Sequence, residues 1–102
     1  MRTITAEELK QRIDAGEKLH IVDVREPNEH TEYNIGGTLL PVGQIMAMQT
    51  DAIEDLKEQE VIFYCRSGNR SGQACMFAET MGFTNVVNLT GGMLAWKEKF
   101  GS

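Results

Sequence analysis

The 102 residues predict an α/β domain: a mainly parallel central sheet flanked by helices on both faces. Two observations carry that reading. Short apolar, β-branched runs alternate along the chain with longer stretches of helical periodicity, the order that builds parallel sheets through crossover helices. The clearest runs, Leu19-His20-Ile21-Val22-Asp23-Val24 and Glu60-Val61-Ile62-Phe63-Tyr64, each give way to polar or charged residues, as strands do where they emerge from a covered sheet. Residues 1–102 are read as one domain, long enough for a hydrophobic core that needs no disulfide or metal to hold it.

The elements follow in order. Arg2 to Ile4 forms a short strand. Thr5-Ala6-Glu7-Glu8 has the form of a capping box, in which the Thr5 hydroxyl receives the Glu8 N–H and the Glu8 carboxylate returns to Thr5. Leu9 and Ile13 then share a helical face, and Gly16 is a natural stop. Leu19 to Val24 is a buried strand. Arg25 to Gly37 is polar loop with a short helical turn after Pro27. Thr38 to Val42 supplies another short strand. Ile45, Met46, Met48, Ile53 and Leu56 suggest one or two helical turns and then a helix ending near Gln59. Glu60 to Tyr64 is a strand, Ser71 to Met81 a helix closed by Gly82, and Val86 to Leu89 the last strand. A final helix follows Gly91-Gly92 and carries Leu94, Ala95, Trp96 and Phe100.

Composition narrows the class of function. A formal net charge of −5 argues against nucleic acid, whose binding needs a positive surface, and against anionic membranes. No apolar stretch approaches the ~20 residues of a membrane span. Thr3, Thr5, Glu7 and Glu8 interrupt what would be the core of a signal peptide, so a cytoplasmic location is expected. The two cysteines do not form a C-x-x-C pair, and His20 and His30 lack metal-ligand spacing. Neither a metal nor a cofactor is expected.

The richest stretch is Val61 to Ser71. An apolar strand ends on Cys65, a polar loop of Arg66, Ser67, Gly68, Asn69 and Arg70 follows, and a helix begins at Ser71. A sulfur held between a strand end and a helix start meets peptide N–H groups and the helix dipole, which stabilise a thiolate and bind anions. Parallel sheets place their sites outside the carboxyl ends of the strands, and Asp23 and Cys65 both fall there.

These residues resemble the rhodanese sulfurtransferase family. Cys65-Arg66-Ser67-Gly68-Asn69-Arg70-Ser71 looks like its active-site loop. Asp23-Val24-Arg25-Glu26-Pro27 with Glu29 resembles its first signature. Gly82-Phe83, Val86, Leu89, Gly91-Gly92 and Trp96 resemble its closing pattern. The resemblance implies that Cys65 takes the outer sulfur of thiosulfate or a similar donor, holds it as a persulfide, and passes it to cyanide or a thiol. The acceptors it implies are thioredoxin-like proteins or low-molecular-weight thiols. The N–H groups of Arg66 through Arg70 would stabilise the thiolate and the terminal sulfur, and Arg66 and Arg70 would attract an anionic donor. The chain departs from the family at Tyr33-Asn34-Ile35, where Gly-His-Ile is usual. Asn34 keeps hydrogen-bonding capacity but cannot take up charge.

Other readings stand beside this one. Cysteine-dependent phosphatases and arsenate reductases share the cysteine, cradle and arginine, but with five residues between cysteine and arginine. Four separate Cys65 from Arg70, a nest suited to a sulfur atom rather than a phosphate. A non-catalytic rhodanese-like module would present the same loop to a protein partner. Asp23, Arg25 and Ser71 are read as supporting residues, with Asp23 accepting from backbone amides and Arg25 paired to Glu29 or another nearby carboxylate. Cys75, beside Ala74 and Ala78, reads as a small packed side chain. Met46, Met48 and Met93 read as core or rim filling.

Overall fold

The structure is a computed structural model that describes residues 1–101. Five strands form one all-parallel sheet: β1 (Arg2–Ile4), β2 (Ile21–Asp23), β3 (Thr38–Leu39), β4 (Glu60–Tyr64) and β5 (Asn85–Leu89), in the order β1-β5-β4-β2-β3. The helices between them are α1 (Ala6–Asp14), α2 (Pro27–Glu32), α3 (Val42–Met46), α4 (Asn69–Thr80) and α5 (Gly92–Phe100), with a 3-10 turn at Asp51–Leu56. The expected α/β architecture is therefore present, with β4 at the centre of the sheet.

Local chemistry accounts for the boundaries. The Thr5 hydroxyl accepts the Glu8 N–H at 3.1 Å, and the Thr5 N–H reaches the Glu8 carboxylate at 2.9 Å, so α1 starts with the reciprocal cap its sequence implies. Pro27 opens α2, where a missing N–H costs nothing. The expected helix before Gln59 is instead a 3-10 turn. In that geometry residues three apart align on one side, which turns both Ile53 and Leu56 toward the core while Asp51, Glu54 and Asp55 remain outside. Strand β2 begins at Ile21 rather than Leu19, although the His20 carbonyl just before it still accepts the Ile62 N–H at 2.8 Å.

Strand parity divides the core in two. Val22, Val61, Phe63, Cys65 and Val86 face α3 and α4, packing with Ile45, Ala74, Cys75 and Ala78. Ile21, Ile62, Tyr64, Val87 and Leu89 face α1 and α5, packing with Leu9, Met93 and Trp96. Each large apolar side chain buried this way contributes on the order of 1.5–3 kcal/mol against exposure. The register pairs Asp23 with Tyr64 and Phe63 with Asn88. Because side chains alternate along a strand, Asp23 and Tyr64 point to the α1/α5 face, whereas Cys65 and Asn88 point to the α4 face. No helix among the described residues is long and apolar enough to cross a membrane.

Candidate active site

Strand β4 delivers Cys65 to the mouth of the sheet with only 1% of its surface exposed. The chain turns back into α4 through Gly68, whose φ of 107° lies in the left-handed region that glycine adopts without strain. This fold-back brings two amides to the sulfur: Gly68 N–H at 3.1 Å and Ser71 N–H at 3.4 Å. The Ser71 hydroxyl stands 3.4 Å from the same atom. Within the expected run of amides, Arg66 through Arg70, the Gly68 and Ser67 N–H groups act on the sulfur, and Ser71, one residue beyond the run, joins them.

The loop keeps this shape because its carbonyls are taken from outside. Met93 N–H donates to the Cys65 carbonyl at 2.9 Å and Leu94 N–H to the Arg66 carbonyl at 3.0 Å. The free amides of the first turn of α5 therefore hold the outward peptide oxygens, and the following amides turn toward the sulfur. Only glycine permits so close an approach, since a Cβ on Gly92 would lie 2.4 Å from the Cys65 oxygen. That contact explains Gly92, while a Cβ on Gly91, at φ 76°, would lie 2.7 Å from the Ala95 Cβ.

Burial pushes the Cys65 thiol up, but the Ser71 hydroxyl and the Ser71, Gly68 and Ser67 amides outweigh it and hold the thiol below its ordinary range. Among the described residues, Cys75 has no such donors. Burial pushes it up to about 12, with Glu79 adding in the same direction. It sits in the α4-side core as a packed small side chain.

Arg70, expected to attract an anionic donor, is engaged by a carboxylate. Its guanidinium makes a two-pronged ion pair with Glu29, at 2.7 and 2.9 Å, and so ties α4 to α2. The Arg70 guanidinium draws Glu29 down to about 2 against the opposing effect of burial, with the Glu26 N–H assisting. Arg70 thus acts as a clamp whose charge is largely compensated. Arg66, Ser67 and Asn69 are exposed at the mouth of the loop. Arg66 borders a small cleft of about 120 Å³ between α2 and α5, lined also by Arg25, Tyr33, Leu94 and Lys97. Lys97 lies over the Tyr33 ring at 5.1 Å. A larger groove along α3 and α4, lined by Met46, Met48, Phe77 and Met81, includes none of the loop residues.

Asp23 closes β2 as expected and Arg25 opens the loop beyond it, but parity puts Asp23 on the sheet face opposite the Cys65 sulfur. One Asp23 oxygen accepts the Arg25 N–H at 3.0 Å and Arg25 Nε at 2.9 Å. The other meets Arg25 Nη2 at 2.8 Å, His30 Nδ1 at 2.8 Å and the Tyr64 hydroxyl at 3.1 Å. Burial alone would raise the Asp23 carboxyl, but the Arg25 guanidinium and N–H, with His30, bring it below its usual range. Tyr64, buried beside this carboxylate, is pushed up to about 12. Arg25 Nη2 also donates to the Tyr33 carbonyl at 2.7 Å. Arg25 therefore pairs with Asp23 rather than Glu29, and the cluster braces the loop that walls the cleft. Asn34 serves that loop as a turn residue, with its amide donating to the His30 carbonyl at 2.9 Å and its oxygen accepting the Gly36 N–H at 2.8 Å.

Sequence reasoning missed His30, Tyr64 and Asn88. Asn88 lies on β5, on the Cys65 face of the sheet. Its Oδ1 is 2.5 Å from the Ser71 hydroxyl, and its Nδ2 donates to the Gly68 carbonyl at 3.2 Å. A polar residue inside the apolar run Val86-Val87-Asn88-Leu89 was the available signal. Its meaning depends on a register that only the folded sheet supplies.

Comparison with known proteins agrees with this geometry. The chain matches the rhodanese-like domain model over residues 5–99. It is 37% identical over 93 residues to a sulfurtransferase of Allochromatium vinosum, covering 91% of this chain and 85% of that protein. The human single-domain sulfurtransferase TSTD1 superposes with a TM-score of 0.80 at 29% identity, covering 97% of each chain. A rhodanese-like domain protein of Staphylococcus aureus gives 0.81 at 30% identity, covering 94% of this chain and 91% of that one. With its parallel sheet, its cysteine at the end of the central strand and a match over nearly its whole length, the chain belongs to the rhodanese-like sulfurtransferase family.

Proposed function

We propose that this protein transfers a sulfane sulfur from thiosulfate, or a donor of similar anionic form, to a thiol acceptor through a persulfide on Cys65. The observation that carries the reading is the Cys65 sulfur itself: buried at a strand end, it meets two amides and a hydroxyl within 3.4 Å and is held below the ordinary range of a thiol. The thiolate attacks the outer sulfur of thiosulfate. The donor's S–S bond breaks, its electron pair leaves with sulfite, and the new S–S bond leaves Cys65 carrying a terminal, negatively charged sulfur. An acceptor thiolate then attacks that outer sulfur, takes it as a persulfide, and returns Cys65 as the thiolate. Splitting the transfer in two is covalent catalysis, and each stage places negative charge where the loop amides converge.

Charge on the approach comes from Arg66 and Lys97 at the cleft beside the loop rather than from Arg70, which Glu29 occupies. The same pairing weighs against phosphoester chemistry, where an arginine of the loop must be free to meet the phosphate oxygens. The test is intact mass after brief incubation with thiosulfate, comparing the native chain with Cys65→Ser. Gain of one sulfur on the native chain alone, released by cyanide as thiocyanate, is the expected result. A folded, reduced native chain that gains nothing overturns thiosulfate as donor. Turnover of a phosphate ester by that chain would move the protein to the phosphatase reading, and loss of both activities to the binding-module reading.

A further inference from the structure

The Ser71 hydroxyl has one hydrogen and two acceptors within reach. Asn88 Oδ1 lies 2.5 Å from Ser71 Oγ, and Cys65 Sγ lies 3.4 Å from it. A hydroxyl can donate to only one of them at a time. The orientation of the amide is settled by its other end, because Asn88 Nδ2 donates to the Gly68 carbonyl at 3.2 Å. Reversing it would set two oxygens against each other. The nearer acceptor holds the hydrogen while Cys65 is a thiol, and the S–H can then point into a lone pair of Ser71 Oγ. Once the thiol proton has gone to solvent, that arrangement would face a lone pair toward an anionic sulfur. The hydroxyl must then rotate, and the hydrogen bond given to sulfur is one withdrawn from Asn88.

We propose that Asn88 is a positioning residue for sulfur transfer: it keeps the Ser71 hydroxyl on its own amide oxygen and yields it to Cys65 only while that sulfur bears charge. The inference rests on the reading of Cys65 as the reacting atom. It has a chemical consequence. A thiolate that must compete for its third donor is less stabilised than one granted it outright, and a less stabilised thiolate is the stronger nucleophile. When Cys65 becomes the neutral inner sulfur of a persulfide, the hydroxyl returns to Asn88. The same residue fixes the Gly68 carbonyl, and so helps to aim the Gly68 N–H at the sulfur from 3.1 Å.

The titratable groups on the elements around Cys65 are Arg66 in the loop, Arg70, Cys75 and Glu79 on α4, Glu29, His30 and Glu32 on α2, Asp23 on β2 with Arg25 just beyond it, Glu60 and Tyr64 on β4, and Lys97, Glu98 and Lys99 on α5. Strand β5 contributes none. All are unchanged by substitutions at positions 88 and 71, which isolates the hydroxyl.

The experiment is a double-mutant cycle on the pH midpoint of Cys65 ionisation, read from thiolate ultraviolet absorbance and from the pH dependence of alkylation. Asn88→Ala is expected to lower the midpoint by about half to one pH unit, the size of one competing neutral hydrogen bond. In the Ser71→Ala background the same substitution is expected to leave out that downward component. An equal downward shift in both backgrounds, or no Ser71-dependent lowering, overturns the proposal. Asn88→Val, a strand-favouring side chain without an acceptor, serves if the alanine variant does not fold. Sulfur loading by mass separates the two claims. A native chain that loads no sulfur from any sulfane donor fails the reading of Cys65, whereas a loading chain with a strictly additive cycle fails only the role of Asn88.

Discussion

Replacing Glu29 by Gln tests the clamp that holds the start of α4 against α2. The Glu29 carboxyl sits at about 2, against an ordinary 4.5, chiefly because of the Arg70 guanidinium. At about 1.4 kcal/mol per pH unit, that drop corresponds to an upper bound of about 3 kcal/mol. The side chains of Glu29 and Arg70 remain 26% and 33% exposed, so solvent screening brings the expected loss to about 1–2 kcal/mol. For a domain of this size that is roughly 5–15 °C in Tm. The pH dependence is the sharper signature. A carboxyl whose pKa falls on folding contributes fully above its unfolded value of 4.5, and the contribution drains away as pH falls toward 2. Urea unfolding of native and Glu29→Gln chains should therefore differ most near neutral pH and converge as pH falls below about 4.5. A gap that stays constant down to pH ~3, or no gap at neutral pH, would refute the reasoning.

Two further outcomes follow from the cradle. Gly92→Ala places a Cβ 2.4 Å from the Cys65 carbonyl on a backbone with φ of 55°, so it should cost about 1–3 kcal/mol and slow alkylation of Cys65 by displacing the loop amides. Unaltered alkylation in that variant would mean that the start of α5 does not shape the cradle. Brief iodoacetamide treatment of the native chain near pH 8 should modify Cys65 and spare Cys75, which is fully buried and pushed up to about 12. Peptide mapping reads the outcome, both cysteines should react in denaturant, and equal labelling of the folded chain would contradict the core assignment of Cys75.

Much of this protein is local, and what is local can be read along the chain. The Thr5/Glu8 cap, the stop at Gly16, the strand from Glu60 to Tyr64 and the turn at Gly68 each depend on residues within a few positions of one another. So does the placing of Cys65 between a strand end and a helix start, which makes the loop and its chemistry legible in the sequence. The alternation of strands and helices was enough to imply a parallel sheet.

What the tertiary structure decided is which distant groups meet. Arg25 had a choice of nearby carboxylates and took Asp23, leaving Glu29 for Arg70, 41 residues away in the chain. Asp23 and Cys65 both close a strand, yet parity set them on opposite faces of the sheet. Asn88 became the partner of Ser71 only because β5 pairs with β4 in the register that sets Asn88 beside Phe63. The sequence by itself determined the reactive sulfur, the turn that cradles it and the order of the elements, because short-range sterics and hydrogen bonding act within a few residues. The ion pairs, the face each polar group occupies and the hydroxyl's second acceptor were decided by strand order and register, which arise from packing the two layers of helices onto one sheet.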